Sequence, residues 1–283
     1  TTAIEHPSVL EPIRRLAERG EIETVYLGVN KEGLINLEEL KSLINESAVL
    51  VSIGYANNEI GTIQPIQEAV KIVKELNPKI VFHTDAVQAV QFLESDVKKL
   101  GIDLMTMSAH KIYGPKGVGA LYVKNGIKLE PVIYGGGQEY GFRSGTENVP
   151  LIVGFAKAVE ILTRWKTKEN IEKTAKLRDC LWQEISAWTR RVQVNGAIGE
   201  KRLPNNLNIF IPGADAEILL FALSENGICV SSGSACASRS QKPSHVINAI
   251  GSKENGASLR LTVGRPTAKD DIDLFLEKLK ALI

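Results

Sequence analysis

The chain is expected to fold as an α/β protein, with an open, mostly parallel sheet in its first half and a smaller α/β unit behind it. Apolar runs at 48–55, 80–85 and 104–107 alternate with helical patterns, the rhythm of parallel sheets with crossover helices. Each run ends in polar residues: Asn57, Asn58 and Glu59, then Asp85, then Ser108, His110 and Lys111. These fall at the carboxyl edge, where open sheets bind their ligands. From Tyr134 a glycine-rich tract and a long helical stretch replace that alternation. The expected division is therefore 1–150 and 151–283, the second part opening with a junction helix.

In order, residues 1–20 carry Pro7, apolar positions at Val9, Leu10, Ile13, Leu16 and Ala17, and a closing Gly20, which are helix start and stop signals. Residues 24–27 read as a short strand, and 37–44 as an amphipathic helix capped by Asn36. The continuous apolar run at 48–55 suggests a strand covered on both faces. A helix over 66–76 leads to the strand at 80–85, a helix to about residue 100, and the strand that ends at Ser108. Gly114, Pro115, Lys116 and Gly117 turn the chain into a further apolar run, 118–123. The glycine-rich stretch 135–146 is either a connector or an anion cradle of backbone N–H groups. Helices follow at 151–162 and 168–188, strands at 206–210 and 228–231 with a helix over 216–223 between them, a strand at 259–263 and a closing helix over 269–282.

Composition narrows the class. The 283 residues, 43% hydrophobic and 24% charged with a net charge of +1, are those of an ordinary globular protein with no nucleic-acid or anionic-membrane footprint. No apolar run approaches the roughly 20 residues of a membrane span. Cys180, Cys229 and Cys236 form no CxxC pair, and the four histidines show no zinc spacing. A cytoplasmic, reducing setting without a bound metal is expected.

Lys111, at the end of an apolar strand, stands out because a buried ammonium is costly unless paired or used covalently. A Schiff-base lysine with a carboxylate in the same crevice is the minimal kit for pyridoxal phosphate, and Asp85 lies one βαβ step away. Asp85 also reads as a helix N-cap, Gln88 as its capping-box partner and His83 as a satisfied sheet histidine. Among the thiols, Cys180 reads as packing and Cys229 as core. Cys236, set among Ser, Gly and Ala, is either a reactive thiol or an incidental loop cysteine.

Taken together, SAHKIYGPKG at 108–117, NNEIG at 57–61, RSGT at 143–146 and SGSAC at 232–236 closely resemble the cysteine desulfurases. These are class V, fold-type I pyridoxal phosphate enzymes; the SGSAC loop is similar to the branch serving iron–sulfur cluster assembly and related sulfur transfer. The resemblance implies that Lys111 bonds the cofactor aldehyde and that Asp85 pairs with the pyridine nitrogen. It implies that His6 stacks on the ring and acts in acid/base chemistry, that Gln88 and Asn58 bond the ring oxygen or substrate, and that Ser108 and His110 hold the phosphate. Thr146 would reach the cofactor of a second subunit, which implies a homodimer. Arg260 would clamp the substrate carboxylate, and Cys236 would take sulfur from L-cysteine as a persulfide, release L-alanine and pass the sulfur to an acceptor or cluster scaffold protein. In the family, earlier strands and a Gly-Ala-Thr-Glu-like phosphate cup precede the His6 position. The chain is thus expected to be an N-terminally incomplete piece that binds cofactor weakly by itself, with an unpaired sheet edge. The competing expectations are a selenocysteine lyase or other class V enzyme, against which SGSAC speaks, and a truncated non-catalytic scaffold.

Overall fold

In the computed structural model, which describes residues 1–233, 244–251 and 255–283, the elements follow the predicted alternation closely. The first half runs α1 (Pro7–Glu18), α2 (Leu37–Leu43), β1 (Leu50–Ser52), α3 (Ile66–Leu76), β2 (Val81–Asp85), α4 (Val97–Leu100), β3 (Leu104–Ser108) and β4 (Gly119–Val123). The second runs α5 (Val149–Trp165), α6 (Lys168–Trp188), β5 (Gln193–Val194), β6 (Asn206–Pro212), α7 (Ala216–Glu225), α8 (His245–Ala249), β7 (Gly256–Thr262) and α9 (Lys269–Leu282).

Among the described residues, β1, β2 and β3 are parallel neighbours in that order, and β4 returns antiparallel to β3. The register pairs Val51 with Phe82 and Asp85 with Thr106. The exits of β2 and β3 therefore lie side by side. Ile53, Val73, Ile80, Phe82 and Leu100 are buried in one apolar cluster beneath this sheet. Strands β5, β6 and β7 form an antiparallel sheet whose core holds Ile185, Ile209, Leu223, Leu259 and Leu279. Ala158 and Leu162 of α5 pack on the first core, and Leu181 and Ile185 of α6 on the second.

Capping follows the sequence. Asn36 Oδ1 accepts from Glu38 N and Glu39 N, and Gly20 takes the left-handed conformation (φ 73°) just after α1.

The expected strand at 24–27 is reduced to a bridge between Leu27 and Thr2, with Val25 and Tyr26 exposed. The run 48–55 pairs as a ladder only over β1; its successive residues Val51 and Ser52, on opposite faces, are buried as expected, while Val49 and Leu50 at its start are exposed. The helix predicted to run to residue 100 is confined to α4, and turns such as Ala89 N to Ala86 O (2.9 Å) fill the stretch before it. Asp96 explains the late start: its Oδ1 accepts from Lys98 N at 2.9 Å, a cap that competes with helix before it. The strand expected at 228–231 is only a bridge from Ser231 to Arg260, and Cys229, expected in the core, is exposed. Strand β5 and helix α8 were not foreseen.

Candidate active site

Two adjoining cavities open at the carboxyl edge of the parallel strands. One, of about 290 Å³, is lined by His6, Asn58, Asp85, Gln88, Ser108, His110 and Lys111 among others. The second, of about 350 Å³, shares Asn58, Gln88, His110 and Lys111 and adds Arg260 from β7. Residues from three strand ends and from the second sheet thus meet around one lysine.

Lys111 stands in a single 3-10 turn, Ala109–Ile112, directly after β3. Tyr113 closes that turn in the left-handed region (φ 67°). A Cβ on the following Gly114 would lie 2.9 Å from Ala109 O and 3.1 Å from Ala158 Cβ, so only glycine lets α5 approach so closely. Lys111 itself is exposed rather than buried. The sequence argument from the cost of burying it does not hold; its place on the wall shared by both cavities is what marks it.

Asp85, the last residue of β2, lines the first cavity while its Oδ1 accepts from Val87 N at 2.9 Å. This is a local turn rather than a helix cap, since the next helix begins at Val97. His6 is the N-cap of α1: its Nδ1 accepts from Ser8 N at 3.2 Å and lies 2.8 Å from Ser8 Oγ. Because Nδ1 accepts, the neutral ring carries its proton on Nε2. Burial holds the ring below its ordinary pKa against the pull of Asp85, and Lys111 and His245 lower it further. His110 Nδ1 is 2.6 Å from Ser108 Oγ, and burial with Lys111 and Lys116 likewise depresses its pKa. His83 behaves as a sheet histidine, bridging Ser52 Oγ and Thr106 Oγ1 at 2.8 Å each.

Arg260 Nη1 donates to Asn58 O at 3.4 Å, tying β7 to the turn after β1. Asn57 shapes that turn by accepting from Glu59 N and Ile60 N through Oδ1. Thr146 is exposed and lines neither cavity, nor does any residue of the glycine-rich stretch 135–146. Cys236 lies outside the described residues.

Sequence reasoning missed Glu5. Its carboxyl is buried in the first cavity's wall, where Oε1 accepts from Thr2 Oγ1 at 2.6 Å and from Gly54 N at 2.9 Å. Burial raises its pKa, against the lowering effect of those two hydrogen bonds. An acidic residue directly before His6 was the available signal.

The donor set suits pyridoxal phosphate. One cavity offers a primary amine, a carboxylate held by a backbone amide, a neutral imidazole and a Ser–His pair. Among the described residues, no group of three or more His, Cys, Asp or Glu could hold a metal, and no helix is long and apolar enough to cross a membrane.

A lysine and an aspartate at adjacent strand exits of a mostly parallel sheet define a pyridoxal-phosphate-type α/β enzyme. The aminotransferase class-V family model matches residues 1–275. A cysteine desulfurase IscS from Clostridium botulinum is 48% identical over all of this chain and 71% of its own length. A solved NifS-like protein superposes with a TM-score of 0.91 at 37% identity, covering 99% of this chain and 73% of that one. SspA in complex with cysteine is 33% identical, with a TM-score of 0.77 over 94% of this chain and 73% of its own. The chain belongs to the class V aminotransferases, in their cysteine desulfurase branch.

Proposed function

We propose that this chain carries the catalytic machinery that moves sulfur from L-cysteine onto Cys236, with release of L-alanine. The observation that carries the reading is the sharing of Lys111, Asn58 and Gln88 by two cavities, one with Asp85 and His6, the other with Arg260. Lys111, Asp85, Gln88, Ser108, His110 and His6 would hold the cofactor in the first, and Arg260 with Asn58 the substrate carboxylate in the second. When bound, pyridoxal phosphate supplies an electron sink for a carbanion at the substrate α-carbon.

The residues do the rest. Arg260 orients the substrate, and the Lys111 amine takes the α-proton and returns it. Neutral His6, its proton on Nε2, is placed to donate. The Cys236 thiolate attacks the substrate sulfur: an S–S bond forms and the C–S bond breaks. Its electron pair stays on the carbon skeleton, which gains a proton and leaves as L-alanine. The sulfur left on Cys236 as a persulfide can then pass to the thiol of an acceptor or cluster scaffold protein.

We further read residues 1–150 as the cofactor unit and 151–283 as a junction helix, α5, followed by the smaller unit. A homodimer is supported by the exposed apolar residues Tyr134, Tyr140, Val149 and Val153, which flank Thr146 in sequence. The free thiols of Cys180 and Cys229 fit a reducing, cytoplasmic setting.

The test uses the full-length, cofactor-loaded protein. Lys111→Ala should lose both the visible cofactor absorbance and alanine formation. Cys236→Ala should keep the absorbance and lose alanine release. A Lys111 variant with unchanged absorbance, or a Cys236 variant that releases alanine at the parent rate, sinks the assignment.

A further inference from the structure

The turn after β1 holds a carboxylate that none of these roles uses. Glu59 is 1% exposed and lines neither cavity. Its backbone is held from both sheets: its N–H donates to Asn57 Oδ1 at 2.8 Å, and its carbonyl accepts from Asn206 Nδ2 at 3.2 Å and Asn208 Nδ2 at 3.1 Å. The side chain therefore starts from a fixed point.

Its Oε2 accepts from Ser244 Oγ at 2.6 Å. Ser244 Oγ also caps α8, accepting from Val246 N at 3.1 Å and Ile247 N at 3.3 Å. A Cβ built on Gly233 would lie 3.5 Å from the same Glu59 oxygen and 3.6 Å from Ser244 Cβ. Ser244, just after 234–243, thus bonds this carboxylate, and Gly233, just before it, lies close by. Two neighbouring contacts fix this junction in place. Ser231 pairs with Arg260 through Arg260 N to Ser231 O at 2.6 Å, and His245 Nε2 is 2.9 Å from the carbonyl of Glu5, beside His6.

We propose that Glu59 is a positioning residue for sulfur transfer, holding Ser244, which follows the segment that contains Cys236, beside the His6 end of the cofactor cavity. The proposal rests on the reading of Cys236 as sulfur acceptor. Cys236 follows Gly233 by three residues, so covalent geometry alone keeps its Cα within about 11 Å of Gly233. Holding Ser244 close to Gly233 shortens the reach open to the thiol and raises its effective concentration at the substrate. Glu59 does this without touching cofactor or substrate, so it should act on turnover and not on L-cysteine binding.

The experiment compares Glu59→Ala, Glu59→Gln and Ser244→Ala in the full-length, cofactor-loaded protein, with Cys236→Ala as a control. Two quantities are read: the L-cysteine concentration that half-saturates the cofactor absorbance change, and the rate of alanine release. Glu59→Ala should slow release about tenfold or more while half-saturation stays within about twofold, since only the effective concentration of the thiol changes. Glu59→Gln, whose amide oxygen can still accept from Ser244, should recover most of the rate. Ser244→Ala should be slowed, and adding Glu59→Ala to it should cost little more, as expected for two members of one contact. Hydrogen exchange of the α8 amides should rise in Glu59→Ala and return toward the parent in Glu59→Gln. Parent-like release in Glu59→Ala, or a parallel loss of absorbance change and release in Glu59→Gln, overturns the proposal. Should Glu59→Ala fail to fold, Ser244→Ala and Glu59→Gln decide by the same criteria. Full alanine release in Cys236→Ala would instead overturn the assignment of Cys236, separating the two failures.

Discussion

Replacing Asp103 by Asn should destabilise the protein by about 3 kcal/mol, because it strips a buried carboxylate from a two-lysine site at the start of β3. Asp103 has a side chain 2% exposed. Its Oδ2 accepts from Lys74 Nζ and from Phe82 N (2.9 Å), and its Oδ1 from Lys124 Nζ (3.0 Å). It thereby joins α3, β2 and the end of β4 at the start of β3, whose other end leads to Lys111. Lys74 is only 23% exposed, so losing the carboxylate leaves a partly buried ammonium without its counter-charge. Asn can still accept from Phe82 N, which keeps the expected cost at the low end for a broken buried pair.

For a chain of this size, about 3 kcal/mol corresponds to a fall of roughly 6–12 °C in Tm. Lys124 is 52% exposed, so its removal should cost under about 1 kcal/mol, well below that of Lys74. Pairing Asp103→Asn with Lys74→Met should recover much of the loss. Burial works to raise the Asp103 pKa, but Lys74, the Phe82 amide and Lys124 outweigh it and hold the pKa below the ordinary 3.8. A depressed carboxylate stabilises above its unfolded pKa, so this contribution is intact above about pH 4 and is lost as pH falls through the lower folded value. Thermal unfolding of the single and double variants provides the measurement. A Tm for Asp103→Asn within about 2 °C of the parent, or equal costs for the two lysines, would refute the reasoning.

Further expectations concern the site and the turn that builds it. Arg260→Lys should raise the KM for L-cysteine about tenfold with a smaller change in kcat, since lysine lacks the guanidinium fork; steady-state kinetics check it. Gly61→Ala should cost about 2 kcal/mol or more in unfolding experiments. Gly61 has φ 71°, and a Cβ there would lie 2.5 Å from Asn206 Oδ1. Burial lowers the His83 pKa below 6.5. A histidine so depressed loses folded-state stability as pH drops below its unfolded value, so His83→Gln should flatten the decline in Tm from about pH 7 to about pH 5. An unchanged slope would count against that linkage.

Much of the site was legible because its residues mark strand ends. Asp85, Ser108 and Lys111 each follow an apolar run, and parallel βαβ topology brings such ends together whatever the details of packing. The extent of pairing was less legible. Residues 24–27 and 228–231 have strand-like composition, but a strand needs a neighbour, and each finds only a single bridge. Cys229 was misplaced for the same reason: apolar neighbours in sequence did not put it under a sheet. Glu5 was missed, and Glu59 was read only as one of the polar residues after the first run, because a carboxylate's neighbours in sequence do not show whether folding will bury it.

The sequence by itself determined the α/β alternation, the strand-end placement of Lys111 and Asp85, and the motifs that mark the family. These depend on local periodicity and on residue chemistry, which neighbours along the chain express. Only the tertiary structure decided that Lys111 is exposed on a wall common to two cavities, that Arg260 reaches the turn at Asn58, and that Ser244 bonds Glu59. Those are contacts between residues far apart in the chain, fixed by how two separate cores pack against each other.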